Sequence, residues 1–179
     1  MFDSKDSETI GYHLFLIPSG ELFDKLQNTI NRLAEKYGGV KFEPHVTLLA
    51  RIPKADEAEL IEKTEELAKA INPFEIKPKE ISTEDAYFRA LYCKVEPNNE
   101  LKEYHQKALK IFGIQDVNPY IPHLSLYYGN VKQSIKDEMI ASLSLPTNMK
   151  FLVDKIYLYR TEGEATDWVR IRACNLVKY

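Results

Sequence analysis

A proline, a histidine, an aliphatic residue, a hydroxyl residue and a leucine follow one another at Pro44-His45-Val46-Thr47-Leu48. The same kinds return in the same order at Pro122-His123-Leu124-Ser125-Leu126. Each copy lies in a short apolar run with β-branched or aromatic neighbours, the pattern of a strand. On a strand, residues i and i+2 share a face. His45 therefore projects with Thr47, and His123 with Ser125. Two such strands side by side would line one cleft with two imidazoles and two hydroxyls. An unperturbed imidazole titrates at about 6.5, so near neutral pH one of the pair can be neutral and the other protonated. The neutral ring can take a proton from water and the protonated ring can give one to a leaving alkoxide, each role contributing about 10²–10⁴ in rate. The hydroxyls can donate to phosphoryl oxygens. No paired Cys, His-x-x-x-His or clustered carboxylate stands beside either copy, so the set fits phosphodiester cleavage without a metal. One His-x-Thr in a strand is ordinary packing; the repeat within one chain is what points to chemistry.

The rest of the chain has to hold these strands together. Residues 10–17 form an apolar, aromatic run ended by Pro18, which reads as a buried strand. Ser19 is placed to cap a helix with Leu22, Leu26, Ile30 and Leu33 on one face, ended by Gly38-Gly39. The first motif strand is expected over about 42–51 and a helix over 54–71, stopped by Asn72-Pro73. Strands are expected over 74–82 and 87–95, joined by a turn at Thr83-Glu84-Asp85. A helix over 100–112, closed by Gly113, precedes the second motif strand. A short helix over 132–143 follows, then strands over 151–160 and 168–177 around a turn at Glu162-Gly163-Glu164. The order is β-α-β-α-β-β-α-β-α-β-β, which reads as α+β with antiparallel sheets. Both motif strands follow a helix that ends at glycine. His105, near Leu101, Tyr104 and Leu109, reads as a surface or half-buried helix residue, and His13 as a core or solvent-facing one.

A chain of 179 residues, 44% hydrophobic and 28% charged, makes one domain or two tightly joined lobes. A net charge of −3 argues against a broad basic face for duplex nucleic acid. Lys41, Arg51, Arg89, Lys132 and Arg170 remain available for a local anion site. No apolar run is long enough to cross a bilayer, and the polar, acidic start is unlike a secretory signal, so a cytoplasmic location is expected. Cys93 and Cys174 read as two buried thiols. A disulfide between them depends on geometry that the sequence does not give, and neither has the neighbours of a zinc ligand.

These features resemble the two-histidine phosphoesterases, whose signature is a pair of His-x-Thr/Ser motifs. More narrowly, the sequence is similar to the cyclic phosphodiesterases that open ADP-ribose 1″,2″-cyclic phosphate and 2′,3′-cyclic nucleotides. The likeness runs from Tyr12–Pro18 through Gly38-Gly39 and Phe42–Thr47 to Pro119–Leu126 and Cys174-Asn175-Leu176. It implies a bilobal α+β fold with pseudo-two-fold symmetry, antiparallel sheets lining a central cleft and helices outside. Residues 1–179 would form a single domain of two lobes. It also implies hydrolysis without a cofactor or metal, with His45 and His123 catalytic and Thr47 and Ser125 binding the phosphate. His123 would act as base toward water and His45 as acid toward the leaving oxygen. Tyr128 matches an aromatic position that contacts substrate in relatives, and Phe15 falls where some relatives carry tryptophan. Phe88 and Tyr87 are weaker candidates, and for all four a place in the core is an equal alternative. The plant members carry more cysteines, so disulfide control is not carried over. The implied partner is a small cyclic phosphate nucleotide met by a monomer away from membranes. RNA ends with 2′,3′-cyclic phosphates or 2′–5′ linkages are the alternative substrate. A non-catalytic nucleotide- or RNA-binding module is the alternative of a different class, although all four signature residues are present.

Overall fold

The computed structural model describes residues 7–115 and 118–177. Nine strands and four α-helices are present among them: β1 (Tyr12–Leu16), α1 (Gly20–Tyr37), β2 (Val46–Ile52), α2 (Glu57–Ala70), β3 (Phe74–Ile76), β4 (Pro78–Ser82), β5 (Leu91–Val95), α3 (Asn99–Phe112), β6 (His123–Tyr127), α4 (Gln133–Ala141), β7 (Phe151–Val153), β8 (Lys155–Arg160) and β9 (Val169–Asn175). Every paired strand is antiparallel. The expected α+β architecture is therefore the one observed. Two expected strands divide, however. The run over 74–82 becomes β3 and β4, and the run over 151–160 becomes β7 and β8. In each case the first piece leaves the main sheet, because β3 and β7 pair with each other.

The main sheet has the order β4-β5-β6-β2-β1-β8-β9. Its logic is an exchange. The elements β1-α1-β2-α2-β3-β4 and β5-α3-β6-α4-β7-β8 are two copies of one pattern, and each copy's last strand pairs with the other copy's first. Exchanging the copies maps the first six strands of the sheet onto themselves in reverse, with β9 added at one edge. The helices obey the same relation, since α1 packs on β6 and α3 on β2. The axis passes between β2 and β6, the two motif strands, which pair through Val46 and Leu124.

Local chemistry sets the element ends. Asn98 accepts from the Leu101 amide at 3.2 Å and Asp56 from the Ala58 amide at 2.8 Å, capping α3 and α2. Ser19 stands at the N-cap of α1 without a side-chain bond. Gly38 and Gly113, with φ of 76° and 67°, take the left-handed turn that ends α1 and α3 and delivers the chain to each motif. The strand alternation does the sorting: Val46, Leu48, Leu124 and Leu126 are wholly buried and share one core cluster with Leu26 and Leu33 of α1 and Leu101 and Leu109 of α3. The helices thus cover one face of the sheet. The other face carries the polar members of the motifs.

Cys93 and Cys174 are both buried free thiols, and burial pushes the Cys93 thiol up to about 12. No helix among the described residues is long and apolar enough to cross a membrane.

Candidate active site

His45 is the residue immediately before β2, and His123 opens β6. The first motif strand is therefore shorter than the expected 42–51, and residues 42–45 approach it without pairing. The Val46–Leu124 pairing, continued one residue either way, sets Thr47 across from His123 and His45 across from Ser125. All four side chains leave the face opposite the core.

Each histidine is oriented by the same device. His45 Nδ1 lies 2.6 Å from the Glu43 carbonyl, and His123 Nδ1 lies 2.9 Å from the Ile121 carbonyl, in both cases two residues back. A carbonyl only accepts, so Nδ1 carries the proton and Nε2 is the nitrogen left for chemistry in the neutral ring. Their surroundings then differ. His45 is 5% exposed, stacked on Phe15 with ring centroids 3.8 Å apart. Burial pushes its pKa down to about 4, and the neighbouring His123 adds to the fall. His123 is lowered too, by burial first, with Arg89 lowering and Glu84 raising it. Tyr92, which pairs with Ser125 across β5 and β6, sets its ring edge-on to His123 at 5.4 Å.

The two hydroxyls are not equivalent either. Thr47 is half-buried and its hydroxyl has no partner among the described residues. Ser125 is 3% exposed and donates to the Phe88 carbonyl at 2.9 Å. Tyr128 lies between the motifs, with its hydroxyl beside Ser125 and 3.5 Å from His45 Nε2. Its ring is stacked on Phe42 at 3.7 Å and meets Phe88 edge-on, so it offers the site a hydroxyl rather than a free ring face. Phe15 is likewise buried, beneath His45. Phe88 is half-buried on a 3₁₀ turn at Tyr87–Arg89.

Trp168 is the site residue the sequence reading passed over. It is held by a hydrogen bond from Nε1 to Thr9 Oγ1 at 3.0 Å and lies within 6.2 Å of the rings of His45, Phe15, Phe88 and Tyr128. It follows a 3₁₀ turn after β8, and Phe88 lies on a 3₁₀ turn after β4. These loops are equivalents in the exchanged pattern, and they meet over His45. The only signal in the sequence was that the chain has a single tryptophan next to a polar turn. A cavity of about 350 Å³ beside His45 is lined by Phe15, Phe42, Tyr159 and Trp168 with Glu43 and Lys41. A separate one of about 360 Å³ lies behind Tyr128 and touches neither motif histidine.

His13 sits on the open face, half-buried. Its Nδ1 is 2.5 Å from Thr161 Oγ1, and its pKa is lowered to about 3 by burial, with His45 and Arg51 adding. His105 is 5% exposed, more buried than expected, because its Nδ1 bonds the Leu48 carbonyl at 2.8 Å and its ring stacks on Tyr120 at 3.9 Å. Of the five cations, three are held by carboxylates: Lys41 by Glu35, Arg89 by Glu84 and Arg170 by Glu43. Among the described residues no three His, Cys, Asp or Glu side chains converge on a metal position.

An exchanged α+β sheet with two His-x-hydroxyl strands at its centre belongs to the two-histidine phosphoesterase class. The family model described as the 2′-5′ RNA ligase superfamily matches residues 22–165, and the chain belongs to that superfamily. It is 22% identical over 173 residues to a protein named cyclic phosphodiesterase in Arabidopsis thaliana, covering 92% of this chain and 94% of the relative. It is 28% identical over 159 residues to a protein named as a phosphoesterase in Oceanobacillus iheyensis, covering 86% and 92%. Among solved structures it matches E. coli LigT complexed with 3′-AMP at a TM-score of 0.60 and 12% identity, over 93% of this chain and 98% of that one.

Proposed function

We propose that the chain hydrolyses strained cyclic phosphodiesters, either 2′,3′-cyclic nucleotides or the 1″,2″-cyclic phosphate of ADP-ribose. The observation that carries this reading is the pair of histidines, tied by the same Nδ1–carbonyl bond and brought to one face by the junction of β2 and β6. One water is consumed. Its oxygen forms a bond to phosphorus while a neutral imidazole takes its proton. The bond from phosphorus to one ribose oxygen breaks, and the protonated partner imidazole gives that oxygen a proton, leaving a phosphomonoester. Thr47 and Ser125 hold the phosphoryl oxygens, Ser125 after giving up its bond to Phe88, and Tyr128 adds a hydroxyl beside His45. Catalysis draws on these side chains without a metal or other cofactor. The aromatic cavity beside His45, lined by Phe15, Phe42, Tyr159 and Trp168, suits a nucleoside. The whole chain acts as one domain of two lobes, as a cytoplasmic monomer.

The second reading is the processing of RNA ends, supported by the name of the superfamily. The pairing of Lys41, Arg89 and Arg170 with carboxylates leaves little continuous positive surface for a strand and favours the small substrate. The experiment is phosphate release, after phosphatase treatment, from 2′,3′-cyclic AMP, ADP-ribose cyclic phosphate and a cyclic-ended oligonucleotide in parallel. Turnover of the small esters well above the oligonucleotide is the expected result. Turnover of the oligonucleotide alone would favour RNA processing, and turnover of none would overturn the reading.

A further inference from the structure

A cyclic phosphodiester carries one negative charge, and the five-coordinate arrangement reached when hydroxide adds to it carries two. A pair of imidazoles sharing one proton supplies one positive charge, and the hydroxyls of Thr47, Ser125 and Tyr128 supply none. Electrostatic stabilisation of developing charge is commonly the largest single contribution to such a reaction, so a second cation has a task here.

The turn between β4 and β5 supplies a candidate. Its residues Phe88 and Arg89 stand against the second motif, for the Phe88 carbonyl accepts from Ser125 and Arg89 is electrostatically coupled to His123. Among the described residues the Arg89 guanidinium is engaged by one carboxylate, Glu84, at 2.6 Å, and both side chains remain about one-third exposed, 32% and 35%. Glu84 in turn accepts from the Tyr92 hydroxyl at 2.7 Å, and Tyr92 is the residue whose ring edges onto His123. The turn is pinned from behind. Lys136 of α4 is 2% exposed and donates to the Glu84 carbonyl at 2.7 Å and to Asp85 Oδ1 at 2.6 Å. A lysine buried this deeply is retained only where its charge is satisfied. Here its partners among the described residues are all on the turn that carries Glu84 and Arg89.

We propose that Arg89 is a phosphate-contacting residue, held in reserve by Glu84 and drawn onto the phosphoryl oxygens when substrate enters between His45 and His123. This rests on the phosphodiesterase reading for its substrate, although the binding of an anion can be tested apart from turnover. A guanidinium forms paired hydrogen bonds to phosphate, and exchanging Glu84 for a dianionic transition state leaves it better paired there than in the ground state.

The test turns on opposite signs. Turnover of 2′,3′-cyclic CMP and competitive inhibition by inorganic phosphate are measured for wild type, Arg89→Gln, Arg89→Lys and Glu84→Gln, each checked for folding by thermal melting. Arg89→Gln should lower kcat/KM by about 10²-fold and weaken phosphate inhibition about tenfold. Arg89→Lys should recover part of both. Glu84→Gln should release the arginine and tighten phosphate inhibition several-fold. If the pair served only to brace the turn, the two Gln variants would change phosphate binding in the same direction, and the proposal would fail. It would also fail if Arg89→Gln bound phosphate as wild type does. Should the wild type turn over no cyclic ester, the phosphodiesterase reading falls by itself. Phosphate titration of the same proteins, followed by calorimetry, then decides the role of Arg89 separately.

Discussion

The two histidines share a tautomer but not a setting. His45 is sealed against Phe15 and Trp168 and prefers to be neutral, with a pKa near 4, whereas His123 is only half-buried and is lowered less, burial and Arg89 lowering it and Glu84 opposing them. When the pair holds one proton, that proton belongs on His123. On the phosphodiesterase reading we therefore propose His45 as the base toward water and His123 as the acid toward the leaving oxygen, the opposite of the order implied by resemblance. The expected outcome is chemical. An alkoxide leaving group needs a proton, and an aryloxide needs it much less. His123→Ala should lose most activity on a ribose cyclic phosphate and recover much of it on catechol cyclic phosphate, while His45→Ala stays impaired on both. A base must be deprotonated, so the acidic limb of the kcat/KM profile should belong to His45 and disappear in His45→Ala; the alkaline limb should disappear in His123→Ala. The reverse pattern would restore the implied order. The type and spacing of these residues were legible in the sequence. Their inequality was not, because it comes from Phe15, Trp168, Glu84 and Arg89, which three other strand–loop segments bring in.

At the scale of elements, the motif strand β2 has a free edge to satisfy. It pairs with β1 along its length but with β6 only at Val46, so the carbonyls beyond that point face no strand. The segment entering β6 fills the gap: the Tyr120 hydroxyl donates to the Thr47 carbonyl at 2.8 Å, and His105, stacked on Tyr120, bonds the Leu48 carbonyl. An unsatisfied buried carbonyl costs about 1–3 kcal/mol, so Tyr120→Phe should lower stability in urea by that order. The same variant should reduce kcat, because the carbonyl belongs to Thr47, whose hydroxyl is proposed to hold the phosphate. Wild-type stability and kcat together would show that Tyr120 braces nothing. The sequence showed Pro119-Tyr120-Ile121-Pro122 as a lead-in to a strand. That its tyrosine serves the other motif was out of reach, since the two residues lie 73 positions apart. The division of two strands at Lys77 and Asp154 was hidden for a similar reason. Both runs have strand composition throughout, and only the exchange of partners breaks them.

For the whole molecule, the exchanged halves put the polar face of both motifs, and His13 with them, on one face of the sheet, where aromatic rings from both halves seal His45. Composition and alternation announced the α+β class and the buried face. The five-residue repeat marked the two equivalent strands, while the two-fold relation was implied only by the family resemblance, and the remaining sequence of the halves has diverged so far that the pairing of the β4 and β8 loops could not be read. That sealed region has a consequence for stability. His45 and His13 have folded pKa values of about 4 and about 3, both below the 6.5 of an exposed histidine, chiefly through burial. The unfolded chain therefore binds more protons than the folded one between these limits, and ∂ΔG/∂pH for unfolding is positive there. The stabilising preference is fully present above pH 6.5 and is lost as pH falls toward the folded values. For His45 alone the linkage is worth about 3 kcal/mol across the whole interval, and His13, with the lower folded value, adds at least as much. Exposed carboxylates titrate near 4, so the upper part of the interval, about pH 6.5 to 5, isolates the histidines. Urea unfolding at about pH 7.5 and about pH 5 should show the wild type losing one to several kcal/mol. His45→Gln and His13→Gln should each lose less over the same step, because each removes one buried group that resists protonation. If all three proteins lost the same amount, the acid sensitivity would lie elsewhere, and the sealed setting assigned to His45 as a neutral base would go with it.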